Sequence, residues 1–288
     1  MNTVPKILHR VYFDSYPPYR DPFSRYLETW KKELPDYKIM YWNANTFNFP
    51  DVEFVNRSLA AKDPVYLSEY IRWKVLDEYG GIYLDADCEI LNGKTLERLR
   101  AELESSVEYD AFLGVEEYHN GFPTAQTVAA KKGSSKLVKF MINLYEGPLS
   151  SPLWFWRNER ALIGPQLISL YFRDNGYEKN KGFFVNLDNP TIIEHVKIYT
   201  QDYFSPKFTT LGDKLYITNN TCVYHLFSNL NIEDVDIKQD QQRKDPLLFN
   251  EYIEYIKNNQ TKKKKHYKSR IKKYIKNLIR AIQGKTIK

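Results

Sequence analysis

A double glycine leading straight into an acidic turn constrains this chain more than any other feature. Residues Val65, Leu67, Ile71, Val75 and Leu76 recur at helical spacing behind the start signal Asp63-Pro64, and Gly80-Gly81 stops the run. The next three residues, Ile82-Tyr83-Leu84, read as a short apolar strand that delivers the chain into Asp85-Ala86-Asp87. Helix, tight stop and buried strand in immediate succession are the units of an α/β sheet.

The opening of the chain repeats that logic. Lys6 to Phe13 reads as a first strand. Asp21-Pro22 starts a helix carrying Phe23, Leu27, Trp30 and Leu34 on one face, with Pro35 after it. Tyr37 to Trp42 reads as a second strand. Strand, helix, strand predicts a mostly parallel central sheet. Weaker strands are predicted at residues 109–115 and 127–130. Helices are predicted after Ser134-Ser135 and after Gly164-Pro165, and residues 190–230 read as strands and loops.

At 288 residues and 42% hydrophobic content the chain can bury a substantial core. Its 23 tyrosines supply flat apolar faces with polar tips, which suit sugars and bases and also fill ordinary cores. Cys88 and Cys222 lie far apart and imply no disulfide framework. Residues 1–6 lack the basic-then-apolar pattern of a secretory signal, and no apolar run reaches membrane-spanning length, so a cytoplasmic location is expected.

The net charge of +6 conceals two unlike parts. Residues 261–288 hold 12 Lys/Arg and no Asp or Glu, leaving 30 basic against 36 acidic groups in residues 1–260. The domain boundary is therefore placed at 258, with a basic tail over 259–288. Within the tail, Tyr267, Ile271, Tyr274, Ile275, Leu278 and Ile282 fall at spacings of three and four. A helix there carries an apolar stripe beside a Lys/Arg face. It reads either as a helix lying on an anionic membrane surface through residues 262–288, peripheral on the inner face, or as a solvated terminal helix. The body holds no nucleic-acid recognition motif, so nucleic acid is not an expected partner.

The chemistry concentrates at the acidic turn. Side chains two apart at a strand end point the same way, so Asp85 and Asp87 converge. Two carboxylates at close quarters call for a cation or a proton, and oxygen ligands suit Mg²⁺ or Mn²⁺. Glu69 and Arg72, three apart on the preceding helix, share one face. They form either a surface ion pair or a polar pair aimed at a ligand. Tyr83 sits two residues before Asp85, either as core or reaching a diphosphate.

The segment Ser68-Glu69-Tyr70-Ile71-Arg72 through Gly80-Gly81-Ile82-Tyr83-Leu84-Asp85-Ala86-Asp87 resembles the sugar-binding region of glycosyltransferase family 32 and the related glucosylating-toxin catalytic domains. Glu69 stands where Asp is usual. Pro5-Lys6-Ile7-Leu8-His9-Arg10-Val11-Tyr12 resembles the family's opening strand, with Tyr12 in a Trp place. Trp42-Asn43, Gly164-Pro165, Tyr203-Phe204-Ser205-Pro206 and His225 with Ser228 match further pieces, although Asn229-Leu230 lacks the family's Trp. The resemblance covers about residues 4–230.

The resemblance implies a GT-A-like fold and a retaining, metal-dependent hexosyl transfer from a nucleotide-diphosphate sugar, expected to be a UDP-sugar. The acceptor would be a glycan or lipid-linked glycan, with bacterial surface or capsular polysaccharide as product. A host-directed protein-glycosylating effector is the alternative. It implies a metal held by Asp85, Asp87 and His225. It implies donor contacts from Tyr12, which would stack on the base, and from Asn43, Glu69, Arg72 and Tyr83. His9 would either contact the nucleotide or brace the first strand. Asp85, Asp87 and Arg72 are the expected catalytic residues, and no general base stands out.

Overall fold

A buried helix running into a central strand organises the molecule. In the computed structural model, residues 3–13, 23–60, 64–116, 122–150, 164–174, 189–208 and 214–226 are described. Helices and strands occur as β1 (Ile7–Val11), α1 (Ser24–Glu33), β2 (Lys38–Trp42), α2 (Glu53–Ala60), α3 (Pro64–Tyr79), β3 (Gly81–Leu84), β4 (Cys88–Ile90) and α4 (Gly93–Ser105). Then follow β5 (Ala111–Glu116), β6 (Phe122–Ala130), α5 (Lys136–Glu146), α6 (Gly164–Asp174), β7 (Thr191–Ile193) and β8 (Val196–Tyr199). A short helix at Gln201–Phe204, a small ribbon of β9 (Lys207–Phe208) with β10 (Lys214–Leu215), and β11 (Val223–His225) complete the described chain.

The main sheet has seven strands in the order β2-β1-β3-β6-β5-β8-β7. β1 pairs in parallel with β2 and β3, β6 runs antiparallel to both β3 and β5, and β8 is parallel to β5. Strands β2, β1, β3, β5 and β8 therefore share one direction. Only β6 and the edge strand β7 oppose it. The expected mostly parallel α/β sheet is what forms. Its parallel strands deliver Tyr12, Asn43, Asp85 and Glu116 to one edge, the carboxyl ends, where α/β sheets place their ligands.

Helix α3 is buried along most of its length, with Leu67, Tyr70, Ile71, Trp73, Val75 and Leu76 in the core and Glu69 and Arg72 buried beside them. Its end is abrupt. Gly80 takes φ +68° and its N–H donates to Leu76 O at 2.9 Å, closing the helix in the left-handed cap geometry. Gly81 follows at φ +94°, and a Cβ there would lie 2.8 Å from the Ile7 carbonyl oxygen. Both glycines are needed for α3 to pass directly into β3 against β1.

The sequence did not predict two of the helices. α2 is only eight residues long, too short to show a clear helical period. α4 carries its own signals. Asn92 Oδ1 accepts from Thr95 N at 3.0 Å as the N-cap, and Leu96, Leu99 and Leu103 are buried at helical spacing. The first helix begins at Ser24, whereas its predicted start, Asp21-Pro22, lies outside the described residues. The basic tail, Ser228, Asn229 and Leu230 also lie outside them. Among the described residues no helix is long and apolar enough to cross a membrane. Cys88 and Cys222 are buried free thiols.

His9 resolves between its two readings. Its Nε2 lies 2.7 Å from the Gly80 carbonyl oxygen, and Trp42 Nε1 donates to its Nδ1 at 3.1 Å. Both ring nitrogens are thus committed inside the sheet, and the ring is fully buried. The expectation of a nucleotide contact through His9 gives way to that of a strut joining β1, β2 and the end of α3. Burial lowers its pKa to about 4. The unfolded chain then takes up a proton near pH 6.5 that the folded chain refuses until about pH 4. Folding stability is full above pH 6.5, falls as pH drops through that window, and by pH 5 has lost about 2 kcal/mol from this ring. Going from pH 7 to pH 5 in urea denaturation, the stability change of the wild type should be less favourable than that of His9→Gln by about 2 kcal/mol, since the two proteins share every other titrating group.

Candidate active site

Asp85 and Asp87 do not sit on a strand. β3 ends at Leu84, and Asp85 to Cys88 form a tight turn closed by Cys88 N donating to Asp85 O at 3.0 Å. Their convergence comes from this turn, which corrects the strand-alternation argument above. The turn is clamped from several sides. Asp85 N donates to Gln126 O at 2.8 Å, Trp30 Nε1 donates to Cys88 O at 2.7 Å, and Leu226 N donates to Asp87 O at 3.3 Å.

His225 arrives from β11, which pairs antiparallel with β4 so that His225 faces Cys88. The carboxylates of Asp85 and Asp87 and the imidazole of His225 bring one ligand atom each within 4.8 Å of one another. Mg²⁺ bonds its oxygen ligands at about 2.1 Å, so two atoms on opposite sides of one ion lie about 4.2 Å apart. The 4.8 Å limit on the three ligand atoms is close to that span. Two hard oxygens and one imidazole fit a divalent cation that keeps open positions for phosphate.

Behind Asp85 stands a buried polar column. Arg72 Nη2 lies 3.4 Å from Asp85 Oδ1 and 3.0 Å from Glu69 Oε1. Its Nη1 donates to Ala125 O at 3.1 Å, and its guanidinium lies 4.7 Å from the Tyr83 ring centroid. Tyr83 OH donates to Asp85 Oδ1 at 2.6 Å, and Tyr145 OH donates to Glu69 Oε2 at 3.2 Å. A register irregularity between Leu113 and Gly114 leaves Ala125, Gln126 and Thr127 unmatched by β5. The carbonyls of Ala125 and Gln126 serve Arg72 and Asp85 instead. Burial works against the Arg72 charge, yet Glu69, Tyr83 and Asp85 outweigh it and raise its pKa. Burial pushes the Glu69 carboxyl up, opposed by Arg72. Tyr83 is likewise raised by burial.

Glu69 and Arg72 are therefore no surface pair. Tyr83, predicted either as core or as a diphosphate contact, is fully buried and spends its hydroxyl on Asp85. Gly164, at the start of α6, lies so close to Glu69 that a Cβ would sit 2.6 Å from Oε2. Tyr12 is half-buried at the end of β1, edge-on to Phe23, with the Arg10 guanidinium 5.2 Å from its ring centroid. Asn43 Oδ1 accepts from Asn45 N and Thr46 N, capping the turn after β2.

One residue escaped the sequence reading. Glu116, the last residue of β5, is 1% exposed, and its Oε1 lies 2.8 Å from His225 Nδ1. An acid closing an otherwise apolar strand was the available signal. On its other side His225 Nε2 lies 3.5 Å from Asp87 Oδ1. Burial opposes a charge on the ring, but Glu116 and Asp87 overcome it and raise the His225 pKa well above its ordinary value.

Residues 21–105 match the family described as "Glycosyltransferase sugar-binding region containing DXD motif", and Asp85-Ala86-Asp87 falls inside the match. Within those bounds the chain is similar to the sugar-binding region of Asp-x-Asp glycosyltransferases. Among curated proteins none matches it in sequence. Solved structures with distant likeness to this chain include "PaToxG Glycosyltransferase", at 14% identity and TM-score 0.44 over 59% of this chain and 69% of that one. Another is a glycosyltransferase involved in the glycosylation of the major capsid of PBCV-1, at 8% identity and TM-score 0.42 over 83% and 99%. A third is the galactosyltransferase LgtC in complex with donor and acceptor sugar analogs, at 10% identity and TM-score 0.42 over 83% and 95%.

Removing Arg72 strands two carboxylates beside each other. Arg72→Met should cost about 3–5 kcal/mol of folding stability, as for a broken buried ion pair. Adding Glu69→Leu should recover part of that loss. Denaturant titration of the two variants and of Glu69→Leu alone measures the coupling.

Proposed function

We propose that this chain is a glycosyltransferase that holds Mn²⁺ or Mg²⁺ between Asp85, Asp87 and His225 and transfers a hexose from a nucleotide-diphosphate sugar, with UDP as the expected nucleotide. The observation carrying this reading is the convergence of two carboxylates and one imidazole within 4.8 Å at the carboxyl edge of the sheet. When bound, the cation supplies positive charge against the departing diphosphate. The protein's own groups do the rest. Asp85 and Asp87 offer carboxylate oxygens, and His225 offers Nε2. Arg72 holds Asp85 in place from behind and offsets the negative charge gathered there. Glu69, anchored by Arg72 and Tyr145, presents the acceptor oxygens that recognise donor-sugar hydroxyls. Tyr12 and Asn43, at the ends of β1 and β2, provide the base-side wall.

Retention of anomeric configuration, a glycan or lipid-linked glycan acceptor, and a place in surface or capsular polysaccharide synthesis follow from the family resemblance. A catalytic domain of residues 1–258 and a basic tail of 259–288 complete the reading. The tail's Lys/Arg face beside an apolar stripe supports an anionic membrane surface as partner, on the inner face.

A panel of nucleotide-sugars with and without Mn²⁺ tests the central claim. Donor hydrolysis or transfer should require the cation, and Asp85→Asn or Asp87→Asn should lower it by about 100-fold or more, with the far-UV circular dichroism spectrum of the folded protein retained. Full activity in both variants would exclude the assigned site. Separately, the full chain should co-sediment with phosphatidylglycerol vesicles. Replacing Lys262, Lys263, Lys264 and Lys265 by Gln should weaken that binding by at least about tenfold, each lysine contributing about 1 kcal/mol near an anionic surface.

A further inference from the structure

Glu116 has no place in the reaction as proposed above, yet it is one of the most deeply buried acids in the described chain. A carboxylate in that position is costly unless a donor faces it. The donor is His225 Nδ1, at 2.8 Å, on the far side of the ring from the aspartates. The ring is held by both ends. Its backbone is fixed beside Cys88 by the β4–β11 pairing, and its Nε2 is directed at Asp87 Oδ1, 3.5 Å away. Glu116 itself is fixed by its place in β5, whose pairing with β6 continues through Glu116 opposite Phe122.

We propose that Glu116 is a positioning residue for the metal centre: it keeps the proton of His225 on Nδ1 and so leaves the Nε2 lone pair directed at the ion. Neutral imidazole has one N–H and one lone pair, and the partner of the N–H decides which nitrogen is which. With a carboxylate on Nδ1, the protonated nitrogen is fixed there and the other nitrogen becomes the better ligand. Glu116 acts through His225 and makes no bond to the ion. The inference rests on the metal reading of Asp85, Asp87 and His225.

The experiment is a two-by-two set of full-length proteins: wild type, Glu116→Ala, His225→Ala and the double variant. Mn²⁺ binding is followed by the electron paramagnetic resonance signal of the free ion. Glu116→Ala should weaken binding about 10- to 100-fold, the usual effect of losing a group that orients a ligand. In the His225→Ala background the same change should alter affinity by less than about twofold. Glu116→Asp, which keeps the charge, should recover part of the loss and serves in place of Ala should that variant fail to fold. With Mg²⁺ bound, ¹⁵N NMR of the His225 ring should show the proton on Nδ1 in the wild type and a tautomer mixture in Glu116→Ala. Equal losses in both backgrounds would make Glu116 a direct ligand and overturn the proposal, as would wild-type affinity in Glu116→Ala. If the wild type binds no Mn²⁺ at all, the metal reading itself fails.

Discussion

Everything at the active edge depends on a row of alternating charges. It runs from Glu69 to Arg72 to Asp85, across the turn to Asp87, then to His225 and Glu116. Each aspartate leans on a cation, and each cation on a further buried carboxylate. The row is nearly symmetrical about Ala86, although its halves come from unrelated parts of the chain. Four acids in so small a volume would repel strongly in a low-dielectric interior. The two interleaved cations make the arrangement tolerable, and what remains is negative charge at the turn, the sign a divalent ion seeks.

The fold exists in large part to hold that row still. α3 carries Glu69 and Arg72 on a buried helix face, where side-chain freedom is already lost. Gly80 and Gly81 pass that helix into β3 without a loop, so the distance from Arg72 to Asp85 is set by rigid parts. The irregularity in the β5–β6 pairing frees two carbonyls to finish the hydrogen bonding of Arg72 and Asp85. Trp30, buried in α1, braces the turn from the core side through Cys88.

Much of this was legible in the residues, and the reasons are specific. The Gly-Gly stop, the apolar strand and the two aspartates are contiguous, and local geometry decides them. Glu69 and Arg72 share a face because helices repeat every 3.6 residues. What stayed hidden was non-local. No spacing rule links Glu116 to His225, since 109 residues separate them. Tyr83 could be read as core or as a ligand contact from its parity with Asp85, and the fold buries it with its hydroxyl on Asp85. His9 could be read two ways until its partners, Trp42 and Gly80, were seen on either side. α4 was overlooked although its Asn92 cap and leucine spacing were present.

The pairing of β11 with β4 has a consequence for how the site comes into being. The aspartate turn is a short-range structure, formed as soon as β3 and β4 exist. His225 must close a chain segment of more than a hundred residues to reach it, and such closures come late in folding because their entropy cost precedes their reward. During synthesis the acidic turn is therefore complete well before its imidazole is made. A nascent chain that has not yet reached residue 225 therefore carries the two carboxylates of the turn without the imidazole that faces them.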